Sequence, residues 1–122
     1  MRESLIIDYV DDSENPKTNL ALAQEYENIG QTASAISYYL RCAERTEDSD
    51  IEYYCLVRMG ICFDKQKNRD FTVKSIFNAA IALRPTIPDA YYHLAKKQEQ
   101  EKSYFESYTT CAIGLKMSDL FM

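Results

Sequence analysis

The segment from Phe77 to Ala95 constrains the fold more than any other part of the chain. It reads FNAAIALRPTIPDAYYHLA, with apolar residues at spacings of three and four on both sides of Arg84-Pro85. This spacing predicts two amphipathic helices, and the prolines predict a short turn between them. Small residues on the apolar faces would let the two helices approach closely; they are Ala79, Ala80, Ala90 and Ala95.

The rest of the chain has the same helix-turn-helix pattern. Asn15-Pro16 predicts a helix start, because Asn accepts from free backbone amides and Pro suits the first helical turn. Gly30 predicts a helix end. About seven helices are expected, at about 2–12, 16–29, 32–45, 50–65, between 70 and 84, 88–101 and 103–116. The scarcity of turn residues, three glycines and three prolines, argues against an all-β fold.

Length and charge limit the classes of function. A chain of 122 residues suits one domain, and its formal net charge of −5 with a pI of 4.9 disfavours nucleic acid as a partner. The densest basic cluster, residues 65–74, is interrupted by acids. The sequence contains no apolar run long enough for a membrane helix and no secretory signal, so we expect no membrane insertion and a cytoplasmic location.

The four cysteines predict neither a metal site nor a cofactor. Cys42, Cys55, Cys62 and Cys111 form no C-x-x-C pair, and no His lies at ligand spacing. We expect all four to be buried free thiols that act as small apolar residues. Cys111 is therefore not expected to be a nucleophile.

An internal repeat relates the helix pairs. Leu22-Ala23, Met59-Gly60 and Leu94-Ala95 recur at steps of 37 and 35 residues, and the partner helices recur at steps of 38 and 34. In the partner helices Ala35, Val73 and Ser107 correspond, as do Tyr39, Phe77 and Cys111. The period predicts one domain made of repeats at 16–49, 50–86 and 87–118, with an N-terminal helix at 1–14 and a tail at 119–122.

These repeats resemble the tetratricopeptide repeat (TPR), in which small residues lie at helix crossings, an aromatic residue lies beside them, and a proline follows the second helix. The resemblance covers about residues 16–115. It implies an all-α fold: a right-handed α-solenoid of three divergent TPR-like repeats plus an N-terminal helix that packs as the tail of a preceding pair. The third copy departs from the pattern, with Gln98 at the aromatic position and Lys102 at the turn glycine.

A narrower resemblance rests on the Asn15-Pro16 start and on Arg84-Pro85-Thr86 followed by Tyr92-His93-Leu94-Ala95. These residues are similar to the divergent TPR-like region that accompanies some family two glycosyltransferases. The resemblance implies an accessory module whose catalytic domain lies outside this chain and which would aid recognition of a sugar acceptor or a partner. No strand-rich nucleotide-binding half is predicted in this chain.

In a TPR solenoid the first helices of the pairs line the concave face, which suits an extended or helical peptide. The resemblance therefore implies a scaffold that binds a protein, a peptide or an attached catalytic domain. The residues expected to contact the partner are Gln24, Tyr54, Arg58, Ile61, Tyr92, His93 and Lys96, and the groove is also expected to include Leu20, Glu27, Asn28, Val57, Lys65 and Gln100. An ordinary polar surface remains the alternative.

Two more specific functions find little support in the residues. Some TPR domains grip a C-terminal carboxylate, but the corresponding positions here are Leu20, Gln24, Arg58, Asp89 and His93, of which only Arg58 and His93 suit an anion. The Asp89–His93 spacing would fit a general base, yet no nucleophile accompanies it, and a surface pair one helical turn apart is the simpler interpretation. We therefore expect a protein without catalytic activity.

The apolar end Asp119-Leu120-Phe121-Met122 bears on assembly. A solenoid normally closes with a polar helix face. An apolar end indicates a truncated chain, a docked tail or a homodimer through the exposed terminal helices, and the sequence leaves these alternatives open.

Overall fold

The computed structural model describes residues 5–6 and 12–121, of which 119–121 are described by their backbone alone. Six helices lie within residues 12–121. They are α1 (Pro16–Asn28), α2 (Thr32–Arg45), α3 (Ser49–Asp64), α4 (Asp70–Leu83), α5 (Asp89–Gln100) and α6 (Tyr104–Phe121). The predicted helix boundaries agree within one or two residues, except that α6 extends five residues further. The predicted N-terminal helix lies largely outside the described residues.

Local sequence explains where several helices begin. The Asn15 side chain accepts a hydrogen bond from the Lys17 amide at 2.9 Å, with Pro16 in the first turn as predicted. Asp48 caps α3 in the same way, accepting from the Asp50 amide at 2.9 Å. α5 has no cap of its own. Instead the hydroxyl of Tyr53, on α3, accepts a buried hydrogen bond from the Ala90 amide at 3.0 Å.

Each turn inside a helix pair contains one left-handed residue two positions before the second helix. These residues are Gly30 (φ 83°), Asn68 (φ 61°) and Lys102 (φ 64°). They recur at the steps of 38 and 34 residues that relate the second helices, so the backbone repeats in the register found in the sequence. Lys102 does adopt the conformation that glycine would adopt most easily.

The chain is an all-α, right-handed solenoid of three TPR-like repeats. Each described helix packs against the next one in chain order, so α1–α2, α3–α4 and α5–α6 form the three pairs. No helix in the described part of the chain has both the length and the apolar character needed to cross a bilayer.

The central helix α3 is buried on two sides because repeats one and three flank it. Its side chains Cys55, Met59 and Cys62 pack into a core shared with α2. Val57 is buried with Tyr53 against α4 and α5, and it also lines the cavity between α3 and α5. The following repeat covers this side of α3, so little of Val57 is exposed where it meets the predicted groove.

Gly60 shows why a small residue is needed where the helices of the second pair cross. An added Cβ would lie 2.5 Å from Cε1 of the buried Phe77 ring, closer than real carbon contacts. A larger residue at position 60 would therefore force the Phe77 ring or the two helices to shift. A small residue and an aromatic ring meet at this crossing, as the repeat pattern predicts.

The outer side of α6 contradicts one prediction. Ser107 and Gly114 are buried, but Cys111, which was expected to be buried, is exposed, as are Tyr104 and Leu115. Within the described residues no further helix packs on this side of α6, so the repeat positions that are buried in the earlier pairs remain open. Cys111 is thus an exposed thiol, unlike the other three cysteines. Ala79 on α4 is also exposed, contrary to expectation.

Candidate functional site

Two cavities that share Tyr54 and Arg58 form what we call the concave groove, which crosses α1, α3 and α5. The first, of about 280 Å³, lies between α1 and α3 and is lined by Gln24 and Glu27. The second, of about 380 Å³, lies between α3 and α5 and is lined by Ile61 and His93 among others. Five of the seven predicted contact residues therefore line one continuous surface: Gln24, Tyr54, Arg58, Ile61 and His93.

Tyr92 and Lys96 are placed differently. They line a separate cavity of about 440 Å³ between α5 and α6, together with Cys111. The edge of the Tyr92 ring contacts His93 at a centroid distance of 5.3 Å, so the two surfaces meet along α5. The predicted set is thus divided between the concave groove and a second surface at the end of the solenoid.

A buried carboxylate organises the first half of the concave groove. Glu27 on α1 accepts hydrogen bonds from both the Nε and NH2 groups of Arg58 on α3, the former at 3.2 Å, and from the Tyr39 hydroxyl at 2.6 Å. The Glu27 side chain is only 10% exposed, and that of Arg58 is 33% exposed. Three helices are therefore joined through one carboxylate.

The pKa values agree with this geometry. Burial raises the pKa of the Glu27 carboxyl, but the bonds from Arg58 and Tyr39 outweigh burial and hold the pKa below its ordinary value. Burial, reinforced by Glu27, raises the pKa of the Tyr39 hydroxyl. The Glu27 partner raises the pKa of Arg58 against the opposing effect of burial. The network is a stable ion pair with a neutral phenol.

The ion pair changes the role predicted for Arg58. An acidic ligand would have to compete with Glu27, which already accepts two parallel bonds from the Nε–NH2 edge of the guanidinium. Arg58 therefore joins α3 to α1 and presents its remaining surface to the groove. As a simple anion receptor it is poorly suited.

The second half of the groove is mildly acidic. Arg84, in the turn after α4, is paired with Asp50 at the start of α3. Asp89, in the first turn of α5, is exposed and forms no ion pair with any described residue. Since Arg58 and Arg84 each have an acidic partner, Asp89 is the acid of this region without a paired cation among the described residues.

His93 contributes an aromatic surface to the groove. Its ring stacks on Phe77 at a centroid distance of 5.4 Å with the planes 15° apart. Burial lowers the pKa of His93, Asp89 partly offsets this effect, and Lys96 adds to it. His93 is therefore mainly neutral near pH 7, and no hydrogen bond joins it to Asp89 among the described contacts.

Exposed Tyr54 is the main aromatic side chain at the centre of the groove. Its hydroxyl lies 3.4 Å from Nε2 of Gln24, and its ring contacts Tyr39 edge-on at 6.3 Å. These contacts fix the ring while leaving one face to solvent. Tyr54 is thus held at the surface of the groove and is 40% exposed.

Sequence reasoning missed the roles of Tyr39 and Ile87. Tyr39 was expected only as a buried aromatic, and its hydroxyl could have been noticed because a buried phenol needs a partner. Ile87, in the turn before α5, lines the second cavity. Its repeat position is not marked by any periodic pattern, so the sequence held no signal for it.

Comparisons with known proteins bear on the fold. Neither the family models nor the curated proteins with which the sequence was compared match it. Three solved structures of MamA are similar. One from MSR-1 has a TM-score of 0.76 at 19% identity, covering 97% of this chain and 66% of that chain. A second has a TM-score of 0.83 at 16% identity, with 96% and 62% covered. One from AMB-1 has a TM-score of 0.75 at 20% identity, with 94% and 61% covered.

These comparisons are specific about architecture only. The chain spans between 61% and 66% of the length of the three solved structures, and at identities of 16% to 20% a likeness shows the fold alone. None of the three is described as a glycosyltransferase, so the narrower resemblance gains no support. In fold, the chain is a TPR-like helical-repeat protein similar to MamA.

Proposed function

We infer that this chain is a scaffold without catalytic activity that binds a polypeptide segment along the concave groove. The observation that carries the proposal is the continuity of the groove across the first helices of all three repeats, through the shared residues Tyr54 and Arg58. A groove of this shape matches an extended or helical segment better than a small molecule, because both cavities are open along the solenoid.

The charges favour a ligand that combines a basic residue with apolar residues. Arg58 and Arg84 are each paired with an acid, so neither provides a free positive charge. Asp89 is unpaired among the described residues, and it lies beside the apolar surface of Ile61 and Ile87. We therefore expect a Lys or Arg of the ligand near Asp89, next to an aliphatic or aromatic side chain.

The test is selection of a random peptide library on the immobilised protein, followed by affinity measurements on synthetic peptides. Enriched sequences should contain Lys or Arg within a few residues of an apolar side chain. Asp89→Asn should weaken such peptides by about threefold to fivefold, as expected for an exposed charge pair. Tyr54→Ala should weaken them by about tenfold or more, because an aromatic contact at the centre of an interface is removed.

Glu106→Gln is a matched control for Asp89→Asn, since both acids lie in the first turn of a helix and Glu106 lies outside the groove. It should leave the affinity unchanged. Selection of acidic peptides, or equal binding by the wild type and by Tyr54→Ala, would contradict the proposal.

Three finer predictions from the sequence concern attachment, assembly and location. They are the attachment to a glycosyltransferase, the homodimer through the terminal helices, and the cytoplasmic location. Analytical ultracentrifugation of the chain would test the homodimer, for which Leu115 and Phe105 of α6 are exposed apolar candidates. No observation in the structure favours a sugar acceptor over a polypeptide.

A further inference from the structure

A second groove lies at the end of the solenoid, between α5 and α6. It consists of two cavities of about 440 Å³ and 220 Å³ that share Tyr92 and Cys111. The larger continues to Glu99 and the smaller to Leu115. We call this surface the end groove, and it does not include the residues that line the concave groove.

The same repeat positions are covered by a helix earlier in this chain. The repeat steps place Tyr92 at the position of Val57, and Cys111 at the position of Phe77. Val57 and Phe77 are buried, and α5 packs over them, with the His93 ring 5.4 Å from the Phe77 ring. The end groove therefore corresponds to a surface on which a helix already lies in the preceding repeat.

The charges repeat in the same way. The steps of 37 and 35 residues place acids at one position of each first helix, namely Glu27, Asp64 and Glu99. Glu27 pairs with Arg58 of the next first helix, and Asp64 pairs with Lys97 of the next, at 2.7 Å. Glu99 is exposed and has no ion pair among the described residues. Glu99 thus occupies the position of the paired acids, but neither α5 nor α6 provides a basic residue that forms an ion pair with it.

We propose that the end groove binds an α-helix of a partner protein that presents a Lys or Arg to Glu99 and apolar side chains to Tyr92, Cys111 and Leu115. The pairs Glu27–Arg58 and Asp64–Lys97 inside the chain are the basis for this expectation. In both pairs, the acid of one first helix binds a basic residue of the first helix that packs next to it. Exposed Tyr92 and Leu115 supply the apolar surface that such a helix would bury.

A second copy of this chain fits the groove less well. Head-to-tail stacking of two copies would place α1 of one copy in the end groove of the other. In α1, the residues at the repeat positions of His93 and Lys97 are Ala21 and Glu25. Glu25 would then meet Glu99 with like charge, which opposes association. The charge pattern therefore favours a helix with a basic residue over self-association through α1.

Cys111 provides a direct measure of occupancy. It is the exposed thiol of the chain, whereas Cys42, Cys55 and Cys62 are buried. Burial also raises the pKa of the Cys62 thiol to about 11. A thiol reagent should therefore modify Cys111 first, and a helix in the end groove should protect it.

The probe is a synthetic peptide with the sequence of residues 88–101, held helical by a side-chain cross-link on its solvent face because short isolated helices are marginal. This peptide carries Lys97, which meets the equivalent acid Asp64 inside the chain. It should slow alkylation of Cys111 in a saturable manner. Glu99→Lys should weaken the peptide by about fivefold to tenfold, and a peptide with Lys97→Glu should recover the affinity for that variant.

Glu106→Lys, which makes the same charge change outside the groove, should leave peptide binding unaltered. Failure of the peptide to protect Cys111 would overturn the proposal. Equal protection in the wild type and in Glu99→Lys would also overturn it, because the peptide would then be replacing α5 within the solenoid. Protection of Cys111 that grows with protein concentration alone would identify a second copy as the occupant and overturn it too. None of these results depends on the concave groove, which is tested by Tyr54→Ala.

Discussion

Removing the guanidinium of Arg58 should destabilise the fold, because the Glu27 carboxylate would lose the cation that pairs with it. In the variant Arg58→Met, the Glu27 carboxylate, 10% exposed in the wild type, would keep only the Tyr39 hydroxyl as a hydrogen-bond donor. Breaking a fully buried pair costs about 3–5 kcal/mol and an exposed pair about 0–1 kcal/mol. Because Arg58 is one third exposed, we expect a loss of about 2 kcal/mol in the free energy of unfolding.

Glu27→Gln should cost less than Arg58→Met. The amide oxygen can still accept from Tyr39, and the guanidinium left behind is partly hydrated, so a loss of about 1 kcal/mol is expected. The double variant should be less destabilised than the sum of the two single variants, by about 1 kcal/mol or more. Urea unfolding followed by circular dichroism would give all four free energies.

The pH dependence supplies an independent check on the same pair. The pKa of Glu27 is lower in the folded chain than its ordinary value, so its contribution is present above that ordinary value and is lost as pH falls through the folded pKa. The difference in the free energy of unfolding between the wild type and Arg58→Met should therefore become smaller at acidic pH. Additive effects of the two substitutions, or a gap that does not change with pH, would refute the reasoning.

Three further changes test other parts of the fold. Gly60→Ala should lower the free energy of unfolding by about 1–2 kcal/mol, because its Cβ would meet Phe77, although alanine favours helices; urea unfolding would show the sign. Lys102→Gly should raise the melting temperature by about 2–4 °C, since glycine relieves the left-handed conformation. For His93, whose pKa is lowered by burial, stability should fall as pH drops below the ordinary value of 6.5, and His93→Gln should reduce this loss in urea unfolding.

Each of these three changes has a control variant or a result that would contradict the prediction. Asn68→Gly should stabilise less than Lys102→Gly, because Asn tolerates the left-handed region better than Lys does. Stabilisation by Gly60→Ala would mean that the α3–α4 crossing is looser than the structure has it. An identical pH profile for the wild type and His93→Gln would show that His93 is not desolvated.

The helices and their pairing could be predicted because each signal is local or periodic. Asn15-Pro16 marks a helix start through backbone chemistry alone, and the recurrence of Leu22-Ala23 in later repeats relates helices that are far apart in the chain. The exposure of Cys111 could not be predicted in this way. The repeat places it at a buried position, but burial depends on whether another helix covers that position.

The positions of the candidate site and its chemistry depend on different signals. Helical spacing predicts Tyr54 and Ile61 on one side of α3, and both line the cavity between α3 and α5. The partner of Arg58, in contrast, depends on the crossing of α1 and α3, since Glu27 is 31 residues away in sequence. No pattern within one helix can show that a particular acid and base meet, so a residue that suits an anion in the sequence proves to be neutralised in the fold.

The neutralisation of Arg58 links the two proposed surfaces. In each step along the solenoid an acid of one first helix pairs with a basic residue of the next, so Arg58 and Lys97 are used for packing. Asp89 is open at the concave groove and Glu99 at the end groove, while Lys97 is held by both Asp64 and Asp70, at 2.7 and 2.6 Å. Because Arg58 and Lys97 are already paired and the chain carries a net charge of −5, we expect basic ligands on both surfaces. Binding at both should therefore weaken with rising salt, and salt-independent binding at either surface would show that apolar contacts alone select the ligand there.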